Sequence, residues 1–434
     1  MPVTVAIVGS GPAGFYTADA LLKDGNVEVD IIDRLPTPFG LIRAGVAPDH
    51  QTTKKIQQKF EQTALDDNVC YFGNVEVGRD VTLDELRGMY DAVVLAVGAP
   101  FDRKMGIPGE DKKGVHGSAA FVGWYNAHPD FRHLDPDLNV KAAAIVGVGN
   151  VAIDIARVLI KTAAEMADSD LPDYAAATIH ASPLTDVYII GRRGPIEAKF
   201  TNVELRELGK LETAVPQVDP TQLPDGVEGD WDDRDRRLKE RNLATLKEFA
   251  ARRRDELPKA VHFLFYASPV EVLGGDRVEG LRVERTRVEG NRAVGTGETF
   301  DIPCGLVIPA VGYRSVPVPG APFDAQACIV PNQDGRVAPG LYVAGWVKRG
   351  PTGVIASNRP DGVAAAAHIR QDIAAGNKPG RVALQAILGQ RQVRITSIAD
   401  WQKIRAMEEG TALPPAPRRK LSSIRDMLAV LDGS

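Results

Sequence analysis

The 434-residue chain is 44% hydrophobic and 25% charged with a net charge of -5, an ordinary soluble profile with length enough for two or three domains. That balance gives no global electrostatic reason to bind nucleic acid, and neither a membrane-crossing apolar run nor a leader with a basic start is seen, so a soluble cytoplasmic protein is expected. Cys70, Cys304 and Cys328 stand far apart, which excludes a dithiol centre, a disulfide-stapled fold and an iron-sulfur cluster held by this chain alone; buried, reduced thiols are expected.

Val3 to Val8 reads as an apolar strand running straight into Gly9-Ser10-Gly11-Pro12-Ala13-Gly14 and then a helical segment through Leu22. Strand, glycine turn and helix in this order form a dinucleotide-binding device. Gly9 allows the tight turn, Gly11 the approach of a pyrophosphate, Gly14 close packing of helix on strand, and the helix N-terminus offers free N–H groups. A second strand, Val27 to Ile32, ends at Asp33, suited to a ribose diol and hostile to a ribose 2′-phosphate, so FAD or NAD fits better than NADP. Phe39 to His50, FGLIRAGVAPDH, then follows as an apolar run with one arginine. Gly40 and Gly45 would permit close approach to a cofactor, Asp49 would N-cap a helix from about Thr52 to Leu65, and Arg43 could face a flavin oxygen, a phosphate or a neighbouring carboxylate.

The strand Tyr90 to Val97 runs into Gly98-Ala99-Pro100, as a strand end at a crossing would. Lys141 to Val146 and Gly147-Val148-Gly149-Asn150-Val151-Ala152 then repeat the nucleotide device, with Ala152 at the third glycine position. Here the second strand, Thr185 to Ile190, ends in Gly191-Arg192-Arg193-Gly194. Two guanidiniums in place of an acid reverse the electrostatic preference and predict a 2′-phosphorylated dinucleotide, NADP(H). Two sites of opposite preference are most simply explained by a tightly held flavin and an exchangeable NADP(H).

A polar stretch, Gln217 to Glu256, carries Lys239, Arg241 and Lys247 on an alternating-charge helix, either solvated or a basic patch for an acidic partner. Leu306 to Ala310 is a second strand end meeting a crossing, and Leu341 to Ala344 a last strand before GWVKRGPTG. From Thr352 to Ile355 the chain enters a helix reaching about Ile373, broken or bent near Pro360, whose start could face the pyrimidine side of a flavin. Pro414, Pro415 and Pro417 with Arg418, Arg419 and Lys420 read as a surface crossing before a final helix, Leu421 to Leu431.

In its motifs VAIVGSGPAGFYTADALL, FGLIRAGVAPDH, FVGWYNAHPD, GVGNVAIDIARVL, GRRGPIEAKFT with ELREL, and GWVKRGPTGVIASN, the chain resembles the adrenodoxin reductase type of ferredoxin-NADP reductase over nearly its whole length. The resemblance implies an α/β fold of two Rossmann-like dinucleotide-binding domains in a glutathione-reductase-like arrangement. An FAD domain, 1–101 and 321–434, would receive the NADP domain, 102–320, as an insertion. It implies FAD contacts from Gly9, Gly11, Ala13, Asp33, Gly40, Leu41, Val46, Trp346, Gly353 and Ile355, and NADP contacts from Gly149, Asn150, Val151, Arg192, Arg193, Glu204 and Gly353. His50, with Glu204 as its partner, is the expected manager of the flavin N5 proton, and a ferredoxin-type iron-sulfur protein the expected electron partner. Val148 stands where relatives often carry glutamine, and Asn202-Val203 departs from the family pattern before Glu204. Three alternatives stand beside this reading. A glutamate synthase small-subunit type needs cysteine clusters that are absent, whereas an NADPH-dependent flavin monooxygenase and a non-catalytic flavin-bearing interaction module differ from it in what they do with electrons.

Overall fold

A computed structural model describes residues 1–433. Its main elements are two sheets. The first has the spatial order Arg336–Ala338, Leu341–Val343, Ala92–Leu95, Val3–Val8, Val27–Ile32, Val69–Phe72, parallel throughout except for the pair formed by the first two. The second, Leu306–Pro309, Ala142–Val146, Asp186–Ile190, Lys259–Leu264, Ala214–Val218, is wholly parallel. Central strands covered on both faces bury consecutive side chains, as at Val5, Ala6 and Ile7 or Ala143, Ala144 and Ile145, which is why they read as unbroken apolar runs rather than alternating ones.

Every strand of the second sheet lies in sequence between Leu95 and Arg336, whose own strands belong to the first sheet. The outgoing and returning segments, Phe101–Asp102 and Tyr313–Arg314, pair with each other antiparallel. Asp102 further accepts hydrogen bonds from the amides of Ala119 at 2.7 Å and Ala120 at 3.2 Å, tying the connector to the start of the helix Ser118–Tyr125.

Both glycine turns sit where the chain crosses. A Cβ on Gly9 (φ 112°) would stand 2.4 Å from the Ala96 carbonyl oxygen, and one on Gly147 (φ 138°) 2.4 Å from that of Ala310. Only glycine combines this backbone with so close an approach. The two strand ends expected to meet crossings, Ala92–Leu95 and Leu306–Pro309, therefore do so.

Several expectations need correction. The helix expected to be broken or bent near Pro360 is broken rather than bent: Ile355–Asn358 is a separate 3-10 turn, and Pro360 occupies the first turn of Arg359–Asp372, where a missing N–H removes no helical bond. Of the thiols, Cys304 is buried but Cys70 and Cys328 are half-exposed; all three are free. The helices Arg381–Gln390 and Ile398–Gly410 and an antiparallel sheet, Ala267–Leu273, Gly280–Glu289, Arg292–Pro303, had no motif to announce them. Among the described residues, no helix is long and apolar enough to cross a membrane.

The segment Arg418 to Lys420 is only partly a surface crossing. Arg419 is exposed, but the Lys420 side chain is 1% exposed, with its ammonium 3.2 Å from Asp170 and 3.2 Å from the Asn126 side-chain oxygen. Lys54 reaches the same Asp170 at 2.5 Å. Beside this group Arg43 forms a two-pronged ion pair with Glu408, which settles its assignment: it faces a carboxylate. Glu408 is fully buried and also accepts from the Leu421 amide at 2.8 Å. Removing one partner of such a pair strands the other charge away from water. Arg43→Ala is therefore expected to lower unfolding free energy by about 3–5 kcal/mol, read as a shift of the denaturant midpoint at constant m-value; a loss below about 1 kcal/mol would mean that Glu408 needs no cation.

Candidate functional site

At the first glycine turn, Gly11 caps the helix Pro12–Leu21 without any side chain accepting its free amides, and a Cβ placed on Gly11 would meet nothing within 4 Å. At the second, Gly149 caps Asn150–Ile160 in the same way and opens onto the same kind of space. Each turn thus presents unpaired N–H groups and the positive end of a helix dipole to an open crevice, the donor set that a pyrophosphate requires. The residues present fit such a group at both positions.

Around the first crevice, Asp33 follows the strand Val27–Ile32 with its carboxylate oriented by the Ser10 amide at 2.9 Å, the Ser10 hydroxyl at 2.5 Å and the Leu35 amide at 2.9 Å. Gly40 passes over the turn, its virtual Cβ 3.1 Å from the Gly11 Cα. Gly45 serves a different purpose from the one expected: a Cβ there would collide at 2.9 Å with the side chain of Leu41, so its smallness serves local packing. Leu41 is exposed and Val46, whose amide donates to the Leu41 carbonyl at 2.7 Å, is half-buried. Ala13 touches the other wall, since a Cβ on Gly345 would lie 2.6 Å from the Ala13 Cβ. Trp346 follows, its indole N–H donating to the Thr352 carbonyl at 3.1 Å, and Arg349 grips the same carbonyl while pairing with Asp361 at 2.7 Å. These bonds fix the turn holding Gly353 and Ile355, beside which Val354 exposes apolar surface. Arg349 and Thr352 were not recognised from sequence; a basic residue beside a Gly-Pro turn was the available signal.

At the second crevice, Asn150 accepts from the Thr201 amide at 2.8 Å, and the Val148 carbonyl accepts from the Lys199 amide at 2.9 Å. Val151, next on the helix, is half-buried. These bonds join the glycine turn to the helix Asn202–Leu208, which carries Glu204. Arg192 is exposed and Arg193 half-exposed on the turn after Asp186–Ile190. The long helix Asp233–Ala250 buries Leu243, Leu246 and Phe249 on one face. Of its three singled-out cations, Lys239 donates to the Ile196 carbonyl at 2.5 Å and Lys247 to the Asp225 carbonyl at 2.8 Å, so only Arg241 keeps the free, outward placement that a docking patch would need.

Between the crevices lies a cluster that the sequence only half disclosed. His50 Nε2 is 2.7 Å from Glu207 and 3.5 Å from Glu204, the expected partner, and His50 Nδ1 is 3.9 Å from Asp154. Asp49 is not a helix cap: the helix Gln51–Lys54 has no side-chain cap, and Asp49 instead binds Arg157 at 2.7 Å and Lys161 at 2.8 Å. Arg157, 1% exposed, also reaches Asp154 at 2.9 Å and Glu207 at 3.0 Å. Glu207 lies three residues beyond Glu204 on the same helix, a spacing that places both acids toward the same neighbour, and this was the signal passed over.

Asp49, Asp154, Glu204 and Glu207 thus share the cations Arg157 and Lys161, with His50 as a further titratable member. The excess negative charge is relieved by protons. Burial, reinforced by the charge of Asp154, pushes Glu204 up to about 7. Burial likewise raises Asp154. At His50 burial opposes the charged ring, but the hydrogen bond with Glu207 and the charges of Asp154 and Glu204 together outweigh it and the pKa rises. Burial also opposes ionisation of Glu207, but its bond to His50 and the charges of Arg157 and His50 together hold it below the usual range. Near neutral pH this group can store and exchange a proton.

Two open dinucleotide crevices with a proton-holding cluster between them define an α/β pyridine-nucleotide oxidoreductase scaffold, and comparison with known proteins narrows it. Residues 3–208 match the pyridine nucleotide-disulphide oxidoreductase family. The chain is 44% identical to human mitochondrial NADPH:adrenodoxin oxidoreductase, spanning 98% of this chain and 91% of that protein. It is 40% identical to the NADPH-ferredoxin reductase FprA of Mycobacterium tuberculosis over 99% of each. The structure of FprA in complex with NADPH superposes with a TM-score of 0.94 at 40% identity, covering 99% of both chains. The chain belongs to the adrenodoxin reductase family.

The raised Glu204 has a signed consequence for stability. Its folded pKa of about 7 exceeds its ordinary value of 4.5, so the folded state holds the proton more tightly and stability is lost as pH rises between those values. Glu204→Gln mimics the protonated form at every pH. It is expected to match wild type below pH 4.5, to gain an advantage as pH rises to 7 and to keep it above. The advantage should be about 1–3 kcal/mol in denaturant titrations, and a constant difference across pH would refute the shift.

Proposed function

We propose that residues 1–101 and 321–434 form an FAD-binding unit, with an NADP(H)-binding unit inserted at 102–320, and that the enzyme passes electrons between NADP(H) and a ferredoxin-type iron-sulfur protein. The observation that supports this most strongly is the reversal of charge between two otherwise equivalent crevices: Asp33 ends the second strand of one sheet, and Arg192 and Arg193 end that of the other. When bound, FAD would take up a hydride from NADPH and release electrons singly, which lets a two-electron donor serve a one-electron carrier.

The chain's own contribution is binding, orientation and proton handling. Gly11 and Ala13 bring the first helix N-terminus to the FAD pyrophosphate and Asp33 takes the ribose hydroxyls. Gly40, Leu41, Val46, Trp346, Gly353 and Ile355 border the isoalloxazine, with exposed Leu41 and Val354 supplying apolar surface that keeps water away. Gly149, Asn150 and Val151 cradle the NADP pyrophosphate, and Arg192 and Arg193 receive the 2′-phosphate. Glu204 and Gly353 flank the nicotinamide end. His50, held against Glu207, keeps a proton available on the flavin side of the cluster, and Glu204 buffers it.

Anaerobic titration of the yellow holoenzyme with NADPH should bleach the flavin at near-stoichiometric coenzyme, NADH should require far more, and added ferredoxin should restore the oxidised spectrum; no reoxidation by any ferredoxin would overturn the electron-transfer reading. Replacing both Arg192 and Arg193 by Ala should cost about 1–3 kcal/mol per lost phosphate contact in NADPH kcat/KM and little with NADH, and equal losses with both would refute the phosphate assignment. His50→Gln should retain FAD while altering the rate and pH dependence of flavin reduction in stopped flow, where traces matching wild type would leave His50 a structural role.

A further inference from the structure

The Gly191-Arg192-Arg193-Gly194 turn is not free-standing. Its backbone is bound at every residue that could otherwise shift: the Gly191 amide donates to the Leu264 carbonyl at 2.8 Å, and the Gly191 carbonyl accepts from the Ala267 amide at 3.0 Å. The Arg192 carbonyl accepts from the Thr286 hydroxyl at 2.7 Å, and the Arg193 carbonyl from the Tyr266 amide at 3.1 Å. Tyr266 is itself held at φ 53°, a left-handed backbone that a tyrosine adopts at a cost, with its amide aimed at the turn and its hydroxyl 2.3 Å from where a Gly194 Cβ would stand. Thr286, 8% exposed, closes the circuit by donating its amide to the Tyr266 carbonyl at 2.8 Å.

Ala267 and Thr286 belong to the antiparallel sheet Ala267–Leu273, Gly280–Glu289, Arg292–Pro303, and Tyr266 immediately precedes it. The turn joining the last two strands, Gly290-Asn291, reaches one arginine directly. The Arg193 guanidinium donates to the Asn291 side-chain oxygen and, at 3.2 Å, to its carbonyl. The turn's carbonyls are thus spent on this sheet, the Arg193 side chain reaches its hairpin, and Arg192 is exposed. We propose that this three-stranded sheet positions the 2′-phosphate-binding arginines, and that Asn291 is a specificity-determining residue that holds Arg193 ready for NADPH. The inference rests on the reading of Arg192 and Arg193 given above.

The physical basis is pre-organisation. An untethered arginine must be ordered when the phosphate arrives, and ordering one long side chain weakens binding about two- to ten-fold. Asn291 has both acceptors on one residue, so it fixes the guanidinium without neutralising it, and the remaining N–H groups stay free for a phosphate. A carboxylate at the same place would hold the side chain equally well but would compete with the phosphate for its charge.

The test uses intact holoenzyme with NADPH and NADH in steady state, and NADP+ affinity from the flavin difference spectrum. Asn291→Ala should lower the NADPH-over-NADH ratio of kcat/KM about two- to ten-fold, with the change in KM for NADPH rather than in kcat and a matching loss of NADP+ affinity. Asn291→Asp should lower the ratio further than Asn291→Ala. Arg193→Ala serves as the reference. If it leaves the ratio untouched, the phosphate assignment itself has failed. If it lowers the ratio while Asn291→Ala and Asn291→Asp do not, or if these two depress NADPH and NADH alike, the positioning role of Asn291 is overturned.

Discussion

Arg157 is the interaction on which the active arrangement depends. It projects from the helix that begins at the second glycine turn, yet its strongest partner, Asp49, lies in the segment that runs past the first. One nearly inaccessible guanidinium therefore ties the segment beside the first crevice to the helix that opens the second. Its planar fork suits this task as a lysine's would not, because it can hold carboxylates in several directions at once. A cation so buried is expensive, and the acids around it are the offset. They exceed what it can neutralise; that surplus adds to burial in raising Glu204 to about 7, and it raises His50 against burial.

The same logic gives the two halves their contrast. Each is a parallel sheet with a glycine turn crossed by a neighbouring strand, and each ends a helix N-terminus in open space. Repetition of the scaffold supplies two phosphate cradles, and chemistry then separates them at one position, the end of the second strand. Asp33 is fastened by Ser10 and Leu35 and presents a fixed acceptor. The arginines are fastened from behind by backbone bonds and present donors. A ligand needed for every turnover and one exchanged in every turnover can thus be told apart within one chain.

What could be read in the sequence was what depends on local pattern. The glycine turns, their strands, Asp33 and the paired arginines declare themselves because backbone geometry demands glycine at crossings and because charge at a strand end has one plain meaning. The long-range partners did not. Nothing near Asp49 points to Arg157, 108 residues away, and nothing near Arg43 points to Glu408, 365 residues away. Asp49 was read as a cap because Pro-Asp before a polar helix usually is one; a buried arginine outcompeted the local amides for it. Lys420 followed prolines and arginines and so looked exposed, but Asp170 supplies a carboxylate that makes its burial tolerable. The antiparallel sheet behind the arginine turn was missed for another reason: its last strand is largely exposed, and alternation is weak where one face is never covered.

The segment FGLIRAGVAPDH gathers these threads. Near its start Arg43 is bound to Glu408 in the C-terminal part, and near its end Asp49 is bound to Arg157 in the inserted sequence. Between them Val46 and Ala47 are apolar, and Gly45 closes tightly on Leu41, so the stretch has no polar side chain with which to settle elsewhere. Replacing either buried pair by well-fitting apolar residues could leave stability intact, since such pairs seldom add much to it. They add direction: Arg43 is held by Glu408 and Asp49 by Arg157 and Lys161, all of them outside the segment. His50 follows Asp49 by a single residue and inherits that placement. The proton-holding imidazole is thus placed by its own bond to Glu207 together with two ion pairs to which it does not itself belong, and the apolar run is the span between them.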